Sequence, residues 1–268
     1  MPTSYAVIGA SRGIGLEFVR QLAAHPDATV YAVVRNPSSS TFLSDAVKGL
    51  NNVHIVQGDV ASPSSMKAAA DAVGALSGGK LDCLIHNAAK LDVPSVIKGF
   101  DDFKDLDEMD DALIEMFKIN ALGPIHSIST FLPLLRAGPT KKVVVIGTEG
   151  GFPDVIRLLA LDNMVGYGMS KAAAHTATAK WAAKLAPERF VVATVSPGTV
   201  DTTATMPPGD LDPALLAAMG AQIAAWRAKG VPVVVQTAEA AVGKMLKAVE
   251  GLTPEQNGAF LSPTSGVP

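Results

Sequence analysis

The sequence predicts an α/β fold, a doubly wound parallel sheet of about seven strands with helices on both faces. Three observations carry that prediction. Short β-branched runs alternate with segments of helix-forming composition along the chain. The runs are apolar throughout rather than on every second residue, as strands covered on both faces must be. The chain has 268 residues, 48% hydrophobic and 18% charged, enough to bury a large core without staples.

Taken in order, strands are expected at residues 5–8, 29–34, 53–57, 81–86, 142–147, 190–195 and 259–261, and helices at 13–24, 64–76, 107–135 and 167–185. Such alternation implies right-handed crossovers. Two stretches break the rhythm. Residues 150–166 read as an irregular, partly apolar insertion between a strand and a helix. Residues 202–235 are Pro-flanked and carry Leu211, Leu215, Leu216, Met219, Ile223 and Trp226 at helical spacing. Neither is rich enough in Gly and Ser to be a linker, so residues 1–268 read as one domain with any substrate site built in.

Composition excludes several classes. Lys plus Arg number 22 against 25 Asp plus Glu, a net charge of −3 with no basic block, so nucleic acid is not the expected partner. The lone cysteine, Cys83, lies in an apolar run and reads as a small buried hydrophobe; it rules out an internal disulfide and a cysteine-rich zinc site, and no metal site is expected. No apolar run is long enough to span a membrane and no secretory leader is evident, so a cytoplasmic protein is expected.

The first strand is followed by Gly9-Ala10-Ser11-Arg12-Gly13-Ile14-Gly15, which opens the first helix. Free N–H groups and the helix dipole make such a turn an anion site, and glycine allows backbone and phosphate to approach closely. The same residues also satisfy G-x-S-x-G, the nucleophile elbow of serine hydrolases, with Ser11 as nucleophile and His25, His86, His126 or His175 as base. That elbow belongs deeper in the strand order, whereas a phosphate-binding turn belongs after the first strand. Near the end of the second strand, where an NAD enzyme places an acid for the ribose 2′-hydroxyl, stand Val34 and Arg35. Arg35, with Arg12 from the glycine turn, suits a 2′-phosphate, so NADP(H) is the expected cofactor.

Tyr167 and Lys171 stand four apart at the head of an Ala-rich helix and share one helical face. A nearby ammonium favours the phenolate, so Tyr167 is expected to titrate below its usual value of about 10. With Asp59-Val60, Asn87-Ala88-Ala89, Lys118-Ile119-Asn120-Ala121 and Pro197-Gly198-Thr199-Val200-Asp201-Thr202 in order around it, the sequence resembles the short-chain dehydrogenase/reductase superfamily in its compact branch. Within it, the chain looks most like carbonyl reductases related to C-factor, benzil reductase and norsolorinic-acid ketoreductase. The resemblance implies a Rossmann-type NADP-binding domain that reduces a ketone or aldehyde, and pairing into a homodimer or homotetramer through the helices near 107–135 and 167–185.

It also implies roles. Gly9, Ser11, Gly13, Ile14 and Gly15 would line the pyrophosphate, with Arg12 and Arg35 closing on the 2′-phosphate. Asp59 and Val60 would sit against the adenine, and Asn87 with Ala88 beside its ribose. Asn120 would kink its helix and hold a water leading toward Lys171. Lys171 would bind the nicotinamide ribose and activate Tyr167. Pro197, Gly198, Val200 and Thr202 would fix the carboxamide.

Three departures stand out. Thr148 occupies the place of the family's serine at the end of the fifth strand; its hydroxyl has the same bonding capacity, with an added methyl that crowds the site. His86-Asn87-Ala88-Ala89 replaces Asn-Asn-Ala-Gly, with His86 expected as a satisfied strand-end histidine. Thr148 and Tyr167 are separated by 19 residues, and the extra length falls in 152–165. That segment and 202–235 are where specificity is expected, the second as a lid over a hydrophobic or aromatic ketone or as plain core. Glu149 reads as a solvated loop acid. Alternatives are a non-catalytic NADP(H) sensor, the Ser11 hydrolase, and an extended-branch epimerase or dehydratase, which needs a longer C-terminal region.

Overall fold

The computed structural model describes residues 3–91, 98–207, 213–231 and 233–263. Seven parallel strands form one sheet in the order β3-β2-β1-β4-β5-β6-β9. They are β1 (Thr3–Ile8), β2 (Ala28–Val34), β3 (Val53–Gln57), β4 (Cys83–His86), β5 (Lys142–Ile146), β6 (Val191–Val195) and β9 (Phe260–Leu261). All seven expected strands are present, with ends shifted by no more than two residues. The fold is α/β and Rossmann-type, and the strand order reverses between β1 and β4. Ile8 stands in register with Val33 on one side and His86 on the other, so the chain turns after these strands face one crevice.

Side chains alternate across the sheet. Val7, Val144, Ile146, Ala193 and Val195 pack on α1 (Gly13–Ala23) through Phe18, Val19 and Leu22. Ala6, Ile8, Val143, Val145 and Val192 pack on the opposite layer, where α3 (Pro63–Ser77) contributes Met66 and Val73. Between α1 and α3 lies the short α2 (Thr41–Ala46), which carries buried Leu43. The helix boundaries have local causes. For α3, Ser62 accepts the Ser65 N–H, Pro63 occupies the first turn, and Gly78 closes the end at φ 65°.

The expected helix 107–135 is two helices, α4 (Leu106–Phe117) and α5 (Gly123–Ala137), joined by a π turn at Lys118–Leu122. The apolar pattern runs unbroken across that turn, which is why it reads as one helix. The insertion also differs from expectation, because Pro153 starts α6 (Pro153–Leu159). It ends with Ala160 in the left-handed region at φ 50°, and Met164 at φ 55° precedes the long α7 (Val165–Leu185).

Beyond β6, β7 (Thr199–Asp201) pairs with β8 (Val235–Thr237) in a separate two-stranded sheet. Between them runs α8 (Pro213–Ala228), and α9 (Ala238–Glu250) follows β8 to cover the α1 face. Leu211 and the Leu215 side chain lie outside the described residues. Leu216 and Met219 are 40% and 39% exposed, so the helical stripe of 202–235 is not plain core. Instead Val231 is buried with Val155 and Leu159 of α6, with Phe152, Leu161, Trp226 and Val233 packed around them. The two irregular stretches therefore form one apolar cluster.

Candidate active site

The residues singled out from the sequence lie at or just past the C-terminal ends of the parallel strands, or on helix surfaces facing them. The glycine turn sits beside the end of β2, because Gly9 and Ala10 both donate to the Val33 carbonyl, at 2.8 and 3.3 Å. Its glycines are required by space. A Cβ at Gly9 would lie 2.6 Å from Ala88 Cα, and one at Gly15 would lie 2.0 Å from the Gly9 carbonyl oxygen. Asn87 Nδ2 donates to that same oxygen at 2.9 Å, joining the turn after β4 to the turn after β1.

Helix α1 begins with no capping side chain from Arg12 and no acid in its first turn, the setting an anion requires. The Thr205 hydroxyl accepts the Gly13 N–H at 2.8 Å, so the Thr203–Thr205 turn overhangs this helix end. Thr202 stands against Gly13, its Cγ2 3.3 Å from where a Cβ would be. Ser11 is half-buried within the turn. Arg35, one residue past β2, and Arg12 are exposed on the same rim. The residues present fit the phosphates of a dinucleotide: a helix N-terminus with no acid in its first turn, opened by glycines that let a ligand approach the backbone closely.

Past β3, Asp59 accepts the Ala61 N–H at 2.9 Å in a local turn, while Ser62 caps the helix. Val60 is buried, and its carbonyl bonds His126 Nδ1 at 2.8 Å. His86 is buried with Nδ1 3.0 Å from Ser127 Oγ, while its Nε2 has no partner. Burial above all, then the Lys171 charge, lowers its pKa to about 3, so it stays neutral. The Ala88 backbone also acts on the ring, raising its pKa against the other causes.

The second group gathers around α7. Asn120 lies in the π turn, fully buried. Its Oδ1 accepts the Lys90 N–H at 2.7 Å, and its Nδ2 reaches the Lys90 carbonyl and Ser170 Oγ, both at 3.0 Å. Its amide thus pins the segment after β4 to α7, one residue before Lys171. Thr148 follows Gly147 at the end of β5, and its Oγ1 accepts the Gly150 N–H at 3.2 Å. The turn Glu149–Gly151 lies against α7 so closely that a Cβ at Gly151 would be 3.0 Å from Ala172 N. Tyr167, Lys171 and His175, at i, i+4 and i+8, run down that side of α7.

The electrostatics correct one expectation. Lys171 Nζ donates to the Ile146 carbonyl at 2.8 Å and lies 5.7 Å from the Tyr167 ring centre. Burial lowers its pKa to about 8. The Tyr167 phenol is not lowered but pushed up to about 12, first by burial and then by the Glu149 carboxylate. Desolvation penalises the phenolate, and the four-residue spacing to Lys171 brings no offsetting ammonium contribution, because Nζ is turned to the Ile146 carbonyl.

Glu149 is the residue the sequence reading placed wrongly. It is no solvated loop acid but half-buried, accepting the Ser196 hydroxyl at 2.6 Å and the Ser262 hydroxyl on its other oxygen. From the sequence, His175 enters only as a candidate hydrolase base. Here the Thr148 N–H points to its Nε2 at 3.5 Å, and its ring packs 5.0 Å from both Phe152 and Phe260. The one available signal was the continuation of the Tyr167, Lys171 spacing by another four residues. The contacts described for the histidines are with Ser127 for His86, the Val60 carbonyl for His126 and the Thr148 N–H for His175, none of them with Ser11.

Comparison with known proteins decides the family. Residues 4–210 match the short chain dehydrogenase family. The chain belongs to the short-chain dehydrogenases/reductases. As a member of this oxidoreductase family, it is 36% identical to the short-chain dehydrogenase/reductase atnB of Arthrinium sp over 267 residues, covering 97% of each chain. It is 38% identical to the short-chain dehydrogenase/reductase AacuF of Aspergillus aculeatus over 207 residues, 76% of each. In fold it is similar to the NADPH-bound carbonyl reductase from chicken fatty liver, with a TM-score of 0.77 at 24% identity over 98% of this chain and 92% of that one. The carbonyl reductase Sniffer of D. melanogaster gives a TM-score of 0.77 at 19% identity over 99% and 98%. Among the described residues no helix is long and apolar enough to cross a membrane, and no group of His, Cys, Asp and Glu could hold a metal.

Proposed function

We propose that this chain is an NADPH-dependent carbonyl reductase acting on a ketone or aldehyde with an apolar or aromatic body. The observation that carries the reading is the placement of Tyr167, half-buried on the α7 side that lies against the turn after Thr148, with desolvation raising its phenol to about 12. A phenol so placed holds its proton across the neutral range and is a donor toward an oxygen gaining negative charge. Arg12 and Arg35 support the phosphorylated cofactor, and the cluster of Val155, Leu159 and Val231 supports an apolar substrate.

In this reading, Gly13, Ile14 and Gly15 hold the pyrophosphate at the α1 end, and Arg35 with Arg12 takes the 2′-phosphate. Asp59 and Val60 flank the adenine, and Asn87 with Ala88 its ribose. Pro197, Gly198, Val200 and Thr202 hold the carboxamide end. When bound, the reduced cofactor supplies a hydride to the carbonyl carbon. Thr148 Oγ orients the carbonyl and donates to the oxygen as charge develops. Tyr167 then gives its proton to that oxygen. Lys171, at about 8, exists in both protonation states near neutrality and returns the proton. Asn120 keeps the segment from Lys90 to Ser170 fixed behind it.

The test is NADPH oxidation across a panel of aromatic ketones, diketones and aldehydes, followed by loss of the reduced-nicotinamide absorbance. Tyr167→Phe should cut the rate by about 10²–10⁴-fold with NADPH affinity retained. NADPH binding with no turnover of any carbonyl would instead point to a sensor, and labelling of Ser11 by a fluorophosphonate would revive the hydrolase.

A further inference from the structure

Helix α7 meets the end of β5 at two points. Lys171 Nζ holds the Ile146 carbonyl at 2.8 Å, and four residues further along, His175 faces the Thr148 N–H. The Gly147 N–H still bonds the sheet, donating to the Val195 carbonyl at 2.9 Å. The Thr148 N–H that follows points instead at His175 Nε2, a long contact of 3.5 Å across 27 residues of chain.

The imidazole sits in a slot that the neighbouring residues keep open. A Cβ at Gly147 would lie 2.8 Å from Nε2, and one at Gly151 would lie 2.8 Å from Cε1, so neither position admits a side chain beside this ring. Phe152 and Phe260 pack on it, each with its ring centre 5.0 Å away, and lie 4.8 Å from each other. Burial first, then the Lys171 ammonium, lowers the pKa of the ring to about 4 against the opposing Glu149 carboxylate, so it is neutral near pH 7. With Nε2 facing an N–H, the proton of the neutral ring belongs on Nδ1. That nitrogen is buried and has no hydrogen-bond partner among the described residues. A leucine or phenylalanine in the same slot would leave no such polar atom unpaired. What a histidine adds there is an acceptor for the Thr148 N–H.

We infer that His175 is a positioning residue for Thr148: from α7 it holds the peptide that carries the threonine, and so fixes where the Thr148 hydroxyl points. The hydroxyl oxygen accepts the Gly150 N–H at 3.2 Å, which leaves its own proton for a substrate oxygen. Tyr167 and His175 lie about two turns apart on one helix. The helix that carries the phenol therefore also sets the second hydroxyl, and the two are held in one frame. The purpose of this contact rests on the reductase reading, but the contact itself is measurable without turnover.

The experiment compares His175→Phe, which keeps a ring and loses the acceptor, with His175→Gln, whose amide oxygen can reach the place of Nε2. Amide hydrogen exchange at Thr148 is the readout that needs no substrate. It should be about three- to tenfold faster in His175→Phe than in wild type, and His175→Gln should regain part of the protection. In carbonyl reduction, His175→Phe should lower kcat by a similar factor with KM for NADPH unchanged, and His175→Gln should again regain part. In a Thr148→Ala background, adding His175→Phe should change kcat by less than about twofold, because the effect runs through the threonine. The same loss in both backgrounds, a glutamine variant no better than the phenylalanine one, or unchanged Thr148 exchange each overturns the assignment and leaves His175 a packing residue. If the wild type turns over no carbonyl, the reductase reading fails, and the exchange comparison still decides whether His175 holds Thr148. Should His175→Phe not fold, the smaller His175→Leu takes its place in every comparison.

Discussion

Gly15→Ala is a demanding test of how the glycine turn is built. The added methyl would meet the Gly9 carbonyl oxygen at 2.0 Å, Asn87 Nδ2 at 2.6 Å and Gly9 C at 2.9 Å. Relief requires backbone to part from backbone by more than about 1 Å, since no flexible side chain end is available to yield. Gly9 has nowhere to go, because its own α-carbon already faces Ala88 and its N–H is tied to Val33. Overpacking of this kind costs about 1–3 kcal/mol, and loss of the Asn87 bond to Gly9 adds about 1 kcal/mol. The better helix propensity of Ala returns about 1 kcal/mol. The net loss of about 1–3 kcal/mol should lower Tm by about 2–10 °C. Because Ile14 and Gly15 open the helix end read as the phosphate site, NADPH should also stabilise the variant far less than the wild type in the same melting assay. Gly74→Ala is the matched control: its Cβ meets only the Leu134 side chain, at 3.2 Å, which can shift. That variant should melt within a degree or two of wild type, or slightly above. A Gly15→Ala protein that melts like Gly74→Ala and keeps its NADPH response refutes the steric argument.

Arg35→Asp should weaken NADPH binding by about 10–100-fold and raise the relative affinity for NADH, as lost charge-assisted bonds to a 2′-phosphate require; an unchanged preference in a fluorescence titration removes Arg35 from the cofactor site. Acid stability should follow His86. Its native pKa of about 3 lies below the unfolded value of 6.5, so the native state binds fewer protons than the unfolded one in between. Stability is therefore full above 6.5 and is lost as pH falls toward 3, by on the order of a few kcal/mol. His86→Asn should flatten that limb in urea denaturation, but not abolish it, since burial also holds His175 down at about 4. Finally, α4 and α7 present Ile114, Phe117 and Met169, 66%, 45% and 56% exposed, around a cleft of about 420 Å³. We propose that a second copy covers this face; light scattering should show a dimer or larger, and Ile114→Glu should shift it toward monomer. A monomeric wild type rejects this.

The strands were legible because β-branched apolar runs covered on both faces leave little else to be, and the glycine turn because its spacing answers a steric demand at Gly9 and Gly15. The helix hidden at α6 was not legible. Its seven residues give too short a periodic window, and its start depends on Pro153 after an irregular turn. The π turn at Asn120 is invisible to periodicity because it inserts its extra residue without breaking the apolar pattern. Glu149 was misread for a related reason. Nothing local marks an acid whose partners, Ser196 and Ser262, are 47 and 113 residues away. The direction of the Tyr167 shift was also beyond the sequence, because i, i+4 spacing gives proximity to Lys171 but not where its ammonium points or how dry the phenol is.

The added length between Thr148 and Tyr167 bears on how specificity and chemistry are joined. Phe152 begins the insertion, and its ring packs 5.0 Å from His175 and 4.8 Å from Phe260. From the same residue the apolar cluster extends through Val155 and Leu159 to Val231, on the far side of α8 in the chain. Phe152 therefore bridges the cluster read as the substrate wall and the α7 face that carries Tyr167 and Lys171. His175 receives the Thr148 N–H, so a shift of Phe152 reaches the threonine hydroxyl through a single ring. A threonine, with its restricted χ1, is less able than a serine to re-aim its hydroxyl when that support moves. Under the reductase reading, the substitution of threonine and the lengthened insertion belong together. A Phe152→Ala change should lower kcat as well as raise KM, and Thr148→Ser should restore part of the kcat loss by freeing the hydroxyl to find its angle. If Phe152→Ala alters KM alone, the wall and the catalytic face are independent and this coupling does not exist.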